Sequence, residues 1–269
     1  MLPESLFRYY PASLQTLDSI KQQCFYFGGV EKFNDPFECH VVRPRVSDDD
    51  QLMQSLRDRY SKAPDIPESI RRQIVEMDAK SFSEMIKRSA VDSVTLAKKE
   101  FIANRGVICF SERNENLLMW SHYSSGGCGL CLEFRTDNEI FEKAFKVRYE
   151  KRPPQIDALD VMKATLIDRD PKWILDMYCT KPDDWDYEQE WRVIHQKLGT
   201  VYIYPKACLK AVYFGPRCTT SFMEIVCLTL LGQNKGVEFW RGSMSEMKYE
   251  VEFEKFTYTP FCDIPPKAP

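Results

Sequence analysis

The order of apolar and polar positions predicts many short strands with helices between them. Apolar runs and alternating patterns typical of strands fall at residues 6–10, 24–27, 106–110, 129–134, 145–149, 188–195, 201–204, 209–214, 237–240 and 247–256. Helical spacing of apolar residues falls at 13–23, 116–123, 156–179 and 221–231. The strands at 188–195 and 201–204 are expected to pair through a turn at Gly199. The pattern is typical of an α+β protein.

One long segment is more polar than the rest. Residues 48–105 have helical periodicity, with a break between Pro64 and Pro67. We expect two or three surface helices there, inserted into the domain, because the apolar content is too low for an independent core. The prediction is therefore a single α+β domain over residues 1–259, with a helical insertion at about 48–105 and a flexible tail at 260–269.

Composition excludes several classes of protein. Of 269 residues, 43% are hydrophobic, which is enough for a sizeable core, and the net charge of -3 gives no general nucleic-acid footprint. No apolar run of about eighteen residues predicts a membrane span. Ten cysteines without a secretory signal indicate reduced thiols and a cytoplasmic protein. Cys128 and Cys131 have metal-ligand spacing but no second pair, so no metal site is predicted.

The most conspicuous candidate for chemistry lies at residues 185–194. In an extended strand, Glu188, Glu190 and Arg192 project from one face, because side chains alternate along a strand. Such a charge cluster is costly on a half-buried strand unless it has partners or a function. Two interpretations stay open: a surface strand with paired charges, or a carboxylate that orients a sugar hydroxyl or stabilises a cationic transition state.

Four further side chains are candidates for a site. Ser111 ends a buried strand, and His122 lies on the Trp-Ser-His-Tyr helix that follows it. Asn34 lies in an Asn-Asp-Pro turn, and Arg8 lies among aromatic residues on the first strand, where it suits an anionic ligand. Two of them have a structural alternative: packing for His122, and turn hydrogen bonding for Asn34.

Taken together, six segments resemble a bacterial family known as a domain of unknown function. They are residues 7–10, 33–38, 108–112, 119–123, 185–192 and 212–215. They occur in order over almost the whole chain. Proteins of that kind tend to be encoded by bacterial or phage-borne accessory genes, so the resemblance implies little about chemistry.

A second, more distant resemblance supplies a mechanism. Glu188-Gln189-Glu190 is similar to the Glu-x-Glu strand of mono-ADP-ribosyltransferases. In that superfamily the second glutamate hydrogen-bonds the ribose next to nicotinamide and stabilises an oxocarbenium-like transition state, and the first often orients the acceptor. The resemblance matches these roles to Glu190 and Glu188, and it matches a phosphate-binding arginine to Arg8. Of the superfamily's Ser-Thr-Ser strand, only Ser111 has a counterpart.

The resemblance implies an ADP-ribosyltransferase-like fold, with two small, mostly antiparallel sheets around a cleft and helical insertions. NAD is then the substrate, and the acceptor is an unknown protein or nucleic acid, as in a toxin or a phage-defence effector. The catalytic residues are expected to be Glu190, Glu188 and His122. The residues expected to bind NAD are Arg8, Tyr10, Asn34, Ser111, Trp120, Tyr123 and Arg192.

Two other functions stay open at this point. One is a nuclease-like hydrolase that uses Glu38, Glu188, Glu190 and His122, with or without a divalent metal ion. The other is a non-enzymatic module whose aromatic residues form a groove for a ligand or partner.

Overall fold

The computed structural model describes residues 1–40, 44–46, 49–163 and 172–260. These residues form two compact units. The first comprises Met1–Pro36, Asn104–Lys151 and the described residues from Lys181 onward. The second comprises the described residues within Phe37–Ala103 and Arg152–Thr180. That residues 1–259 are a single domain stays a prediction.

Twelve strands are present among the described residues. They are β1 (Ser5–Tyr10), β2 (Cys24–Tyr26), β3 (Gly106–Ser111), β4 (Leu130–Arg135), β5 (Ala144–Lys146), β6 (Arg148–Glu150), β7 (Thr180–Pro182), β8 (Glu190–His195), β9 (Val201–Ile203), β10 (Leu209–Phe214), β11 (Glu238–Met244) and β12 (Val251–Phe256). Each predicted strand has a counterpart, although the single strand expected at 145–149 is split into β5 and β6.

The sheets confirm the α+β class but differ from the expected pair of small sheets. One sheet has eight strands in the order β12-β11-β10-β4-β1-β3-β8-β5, and two others have two strands each, β2-β9 and β6-β7. The large sheet is mixed, since β10 and β11 are parallel while the other neighbouring strands of this sheet pair antiparallel. It is continuous because β1 pairs on one side with β4 and on the other with β3.

The adjacency of β1, β3 and β8 positions the site. Phe7 of β1 is opposite Ser111 of β3, and Ser111 is opposite Glu190 of β8. Strands far apart in sequence therefore place Arg8, Ser111 and Glu190 in one part of the sheet.

The expected pairing of β8 with the strand after Gly199 is wrong. β8 pairs with β3 and β5, whereas β9 pairs with β2. The burial of the two strands gives the physical reason. The first four residues of β8 are buried and need partners on both sides, while Val201 and Ile203 of β9 are exposed.

Helices α1 (Leu14–Gln22), α5 (Leu117–Tyr123) and α8 (Thr220–Gln233) belong to the first unit. Ser13, Asn116 and Thr219 cap their N-termini, each accepting a backbone N–H bond through its side chain. Helix α8 buries Val226, Cys227 and Leu230 in the same core as the buried side chains of the large sheet.

The second unit contains the helices predicted between residues 48 and 105. They are α2 (Asp50–Lys62), α3 (Glu68–Glu76) and α4 (Ala79–Asn104), whose last residue belongs to the first unit. Of the helix expected at 156–179, the structure contains α6 (Ala158–Lys163) and α7 (Lys172–Tyr178). Residues 164–171 of that prediction, and 261–269 of the predicted tail, lie outside the described residues.

Within the described part of the chain, no helix combines the length and the apolar character that a membrane crossing requires.

We predict that Gly129→Ala destabilises the first unit. A Cβ at Gly129 would lie 2.0 Å from the backbone oxygen of Tyr10, and a backbone atom yields less readily than a side-chain tip. The expected loss is about 1–3 kcal/mol or more of unfolding free energy, measured by urea denaturation.

Gly232→Ala is the matched control. Its Cβ would meet nothing within 4 Å, and Gly232 lies inside α8, so alanine should stabilise by about 0.5–1 kcal/mol. Equal stability of the two variants would contradict the close approach at Gly129.

Candidate active site

A cavity of about 540 Å³ lies in the first unit, beside β1, β3 and β8. Seven of the ten predicted site residues line it: Arg8, Asn34, Ser111, His122, Tyr123, Glu188 and Glu190. Lys32, Phe33 and Lys181 contribute to the same wall. Residues separated by up to 182 positions thus meet at one cavity.

The two glutamates approach the cavity from different elements. Glu190 begins β8 and shares a strand face with Arg192, as predicted. Glu188 does not lie on the strand; it ends a 3₁₀ turn over Asp183–Glu188, and Gln189 follows with a left-handed φ of 44°. This bend brings Glu188 beside Glu190, where a regular strand would only have placed it on the same face.

Arg192 holds the Glu190 carboxylate in a fork. Its Nε donates to Oε1 at 2.8 Å and its terminal nitrogen to Oε2 at 3.0 Å. Arg192 is fully buried, and Glu190 is 4% exposed. Burial would raise the pKa of Glu190, but the nearby Arg192 and Lys181 charges outweigh it and lower that pKa to about 2. Glu190 is therefore an anion across the physiological range.

Lys181 connects the two carboxylates. Its Nζ lies 2.6 Å from Oε2 of Glu188 and 3.2 Å from Oε2 of Glu190. Tyr123 donates its hydroxyl to Oε1 of Glu188 at 2.5 Å. Burial and the neighbouring Glu190 charge raise the pKa of Glu188, although Lys181 and Tyr123 oppose that shift. The two glutamates thus have pKa values moved in opposite directions.

Hydrogen bonds to the backbone fix the bend between the glutamates. The Ser111 hydroxyl donates to the backbone oxygen of Glu188 at 2.6 Å. The backbone N–H of Glu190 donates to the hydroxyl of Tyr149 at 2.8 Å. Ser111 is 1% exposed, so its first role is to hold this backbone. Its predicted contact with a ligand stays a prediction.

Arg8 presents a guanidinium to the cavity between two aromatic rings. One terminal nitrogen donates to the backbone oxygen of Cys109 at 2.7 Å. The guanidinium carbon lies 5.2 Å from the ring centre of Tyr10 and 6.0 Å from that of Phe110. Nε is buried without a hydrogen-bond partner among the described residues. A guanidinium with an unsatisfied buried donor favours an anionic ligand.

His122 and Asn34 lie at exposed positions of the cavity wall. Nδ1 of His122 lies 3.1 Å from the hydroxyl of Tyr187. Asn34 lies beside Tyr123, whose hydroxyl donates to Glu188. Burial and the adjacent Glu188 charge raise the pKa of Tyr123, so its hydroxyl stays protonated and acts as a donor.

Three residues expected to bind NAD do not line this cavity. Trp120 is 2% exposed, packs edge-on against Tyr9 and donates its indole N–H to Asn114. Tyr10 packs against the apolar core and supports Arg8 from behind. Arg192 is fully buried under Glu190. These three large side chains instead pack against or bond to residues that line the cavity: Tyr9, Arg8 and Glu190 respectively.

The described residues provide no set of metal ligands for the nuclease-like hydrolase that was the alternative function. Among them, no three His, Cys, Asp or Glu side chains are grouped so that they could hold a metal ion. Glu188 and Glu190 are bonded to Lys181 and Arg192 instead. Glu38, the fourth residue of that proposal, belongs to the second unit.

Sequence reasoning missed the importance of Lys181 and Tyr149. Lys181 lies seven residues before Glu188, outside the expected strand, and its spacing carries no recognisable pattern. For Tyr149 the sequence pattern predicts only a position in a strand. Only the free-energy cost of burying charge indicates such partners, because two buried carboxylates require cations nearby.

We predict a pH-dependent stability difference between the wild type and Glu190→Gln. Near neutral pH the variant should be less stable by about 3–5 kcal/mol, because the positive charges around Glu190 lose their partner. The pKa of Glu190 is about 2 when folded and 4.5 ordinarily, so its stabilising charge is complete above about pH 4.5. The difference should shrink as pH falls from about 4.5 to 2, as measured by urea denaturation.

Glu142→Gln, at an exposed position, is the control and should change stability by less than about 0.5 kcal/mol. A Glu190→Gln deficit that is small at neutral pH, or that does not change with acidification, would contradict the buried ion cluster.

Comparison with known proteins identifies one related family. Residues 119–193 match the model of a family described as "Protein of unknown function (DUF2971)". No curated protein and no solved structure matches the chain. The matched part contains His122, Tyr123, Lys181, Glu188 and Glu190. The expected resemblance to a domain of unknown function is thus confirmed for the part of the chain that supplies these five residues of the cavity wall.

Proposed function

We propose that this protein is an ADP-ribosyltransferase-like enzyme. It would cleave the bond between nicotinamide and ribose in NAD and transfer ADP-ribose to a macromolecular acceptor. One observation carries the proposal: Arg8, Ser111 and Glu190 lie on the adjacent strands β1, β3 and β8 and line one cavity. This placement supports the proposal, because the resemblance expects an arginine, a serine and a glutamate in that order along the chain. The ADP-ribosyltransferase-like fold is part of the same proposal.

The cavity suits a dinucleotide in size and charge. About 540 Å³ lies within the range of roughly 300–1,000 Å³ that small-molecule sites occupy. Arg8 supplies a guanidinium with a free donor, and Lys32 adds an ammonium at an exposed position of the wall. These two cations would hold the phosphates of NAD.

A different set of aromatic residues must contact the nicotinamide. Because Tyr10 and Trp120 do not reach the cavity, we assign the stacking surface to Phe33 and Tyr123, which line it. Phe33 is rigidly supported, since the Arg192 guanidinium lies 5.5 Å from its ring centre.

Because their pKa values are shifted in opposite directions, Glu190 and Glu188 suit different roles in the reaction. When the bond breaks, its electron pair goes to the nicotinamide nitrogen and positive charge develops on the ribose. Glu190, with a pKa of about 2, supplies a fixed negative charge to stabilise that cation. Glu188, with a raised pKa, is better suited to accept a proton from the attacking acceptor.

Hydrogen-bond capacity supports the same division. Glu190 already accepts two bonds from Arg192 and contacts Lys181, whereas each oxygen of Glu188 accepts one bond. An ionised carboxylate has about four acceptor positions, so Glu188 retains room for a hydroxyl of the substrate or acceptor.

A ligand-binding module is the second candidate, and the charge balance of the cluster favours it. Two carboxylates facing Lys181 and Arg192 are neutral as a set, as in a purely structural cluster. Such a module would bind NAD or another nucleotide without turnover. A nuclease-like reaction would depend on a metal ion, so chelation separates it from ADP-ribosyl transfer.

We predict that purified protein releases nicotinamide from NAD and that Glu190→Gln lowers kcat by about 10²–10³-fold. The loss is that of one preorganised electrostatic contact to the transition state. Chromatographic measurement of nicotinamide, with and without a chelator, tests this directly. Calorimetric titration with NAD shows whether binding survives the substitution, as it should.

Glu142→Gln serves as the control, since Glu142 is not among the cavity residues. Undiminished cleavage by Glu190→Gln would exclude the assigned role. Binding of NAD without cleavage by the wild type would favour the module, and absence of NAD binding would exclude the proposed enzyme.

A further inference from the structure

We propose that Lys181 is a positioning residue of this site, whose ammonium holds the Glu188 and Glu190 carboxylates together at the cavity wall and keeps Glu188 ionised. The reaction that it serves rests on the proposed function. Its effect on Glu188 does not, because that effect is electrostatic and exists without a substrate.

The contacts of Lys181 are short and enclosed. Nζ bonds Oε2 of Glu188 at 2.6 Å and lies 3.2 Å from Oε2 of Glu190. The side chain is 5% exposed and lines the cavity, and Nζ lies 5.0 Å from the ring centre of Trp185. A lysine is almost never buried to this degree unless it is paired with an opposite charge, and here it is paired with two.

The same contact closes a short loop. Lys181 lies in β7, and Glu188 ends the 3₁₀ turn that follows, so the ion pair joins the two ends of this segment. The position of the Glu188 carboxylate thus depends on Lys181 from one side and on the Tyr123 hydroxyl from the other.

Charge repulsion makes a cation necessary at this position. Both carboxylates contact the same ammonium, and like charges at such separation disfavour double ionisation in a buried site. The fork of Arg192 is bonded to Glu190. If Lys181 were neutral, Glu188 would take up a proton before Glu190, and it would lose the ability to act as a base.

Other chemistry for Lys181 fits the structure poorly. Burial would lower the pKa of Lys181, but the Glu190 and Glu188 charges outweigh it and raise that pKa. The protonated amine has no lone pair for nucleophilic attack. Among the described residues, the other titratable or charged groups that face the cluster are Tyr123 of α5, Cys109 of β3, Tyr149 of β6, Tyr187 of the 3₁₀ turn and Arg192 of β8.

The test compares Lys181→Met, Lys181→Gln and Lys181→Arg with the wild type. Protein labelled with ¹³C at the glutamate carboxyl carbon is titrated by NMR, and Glu188→Gln identifies the Glu188 signal. Removal of the positive charge should raise the Glu188 titration midpoint by about 1–3 pH units in the Met and Gln variants. Lys181→Arg keeps the charge and should hold the midpoint within about one unit of wild type.

Lys210→Met is the matched control. Lys210 Nζ lies 2.5 Å from Oε1 of the buried Glu133, and neither residue lines the cavity. This substitution should leave the Glu188 titration midpoint unchanged. Lys181→Gln covers the case in which Lys181→Met does not fold, because glutamine keeps a donor without a charge.

The reaction gives an independent reading. In Lys181→Gln, the acidic limb of the plot of kcat against pH for NAD cleavage should move to higher pH by the same interval as the Glu188 midpoint. KM should change by a smaller factor than kcat. In Lys181→Arg the acidic limb should lie near its wild-type position. An unchanged Glu188 midpoint in the charge-removing variants would overturn the role of Lys181. If the midpoint moves but the wild type does not cleave NAD, the electrostatic role stands and the proposed function fails.

Discussion

The structure of the site depends on a buried balance of two positive and two negative charges. Lys181 and Arg192 face Glu188 and Glu190 at hydrogen-bonding distances, and all four side chains are at most 5% exposed. Each charge alone would cost several kcal/mol to bury, so the four are stable only as a set. Arg192 anchors the set beneath the sheet surface, and Lys181 extends it to Glu188. Because the charges are paired in this way, two carboxylates can be buried beside the cavity at the eight-stranded sheet.

The backbone around this cluster determines which atoms reach the cavity. The left-handed conformation of Gln189 changes the direction of the chain between the glutamates, and Ser111 and Tyr149 hold the bend by bonds to its backbone. Glu190 is thereby fixed as a permanent anion, whereas Glu188 has a raised pKa and spare acceptor positions. Two neighbouring carboxylates with different environments are an arrangement that suits separate electrostatic and acid–base roles.

Local patterns predicted the elements well, because helical spacing and strand alternation depend on near neighbours. The helical ranges that begin at Ser13 and Asn116 and the alternation of Glu190 with Arg192 are examples. Long-range pairing was beyond such patterns: β9 pairs with β2 and not with β8, since the burial of β8 depends on partners remote in sequence. The same limit applies to the site. Arg8, Ser111 and Glu190 could be identified from the sequence only as separate candidates. The contacts of Lys181 with both glutamates exist only in three dimensions. No local pattern indicates that Trp120 is buried and does not line the cavity.

The central claim is that Arg8, Glu188 and Glu190 form one binding site for NAD. A crystal structure with a hydrolysis-resistant NAD analogue tests it most directly. The account predicts the analogue in the cavity beside β1, β3 and β8, with a phosphate on Arg8 and a hydroxyl of the nicotinamide ribose within hydrogen-bonding distance of Glu188 or Glu190. An analogue bound elsewhere on the first unit, or bound in the cavity with its ribose remote from both glutamates, would contradict it.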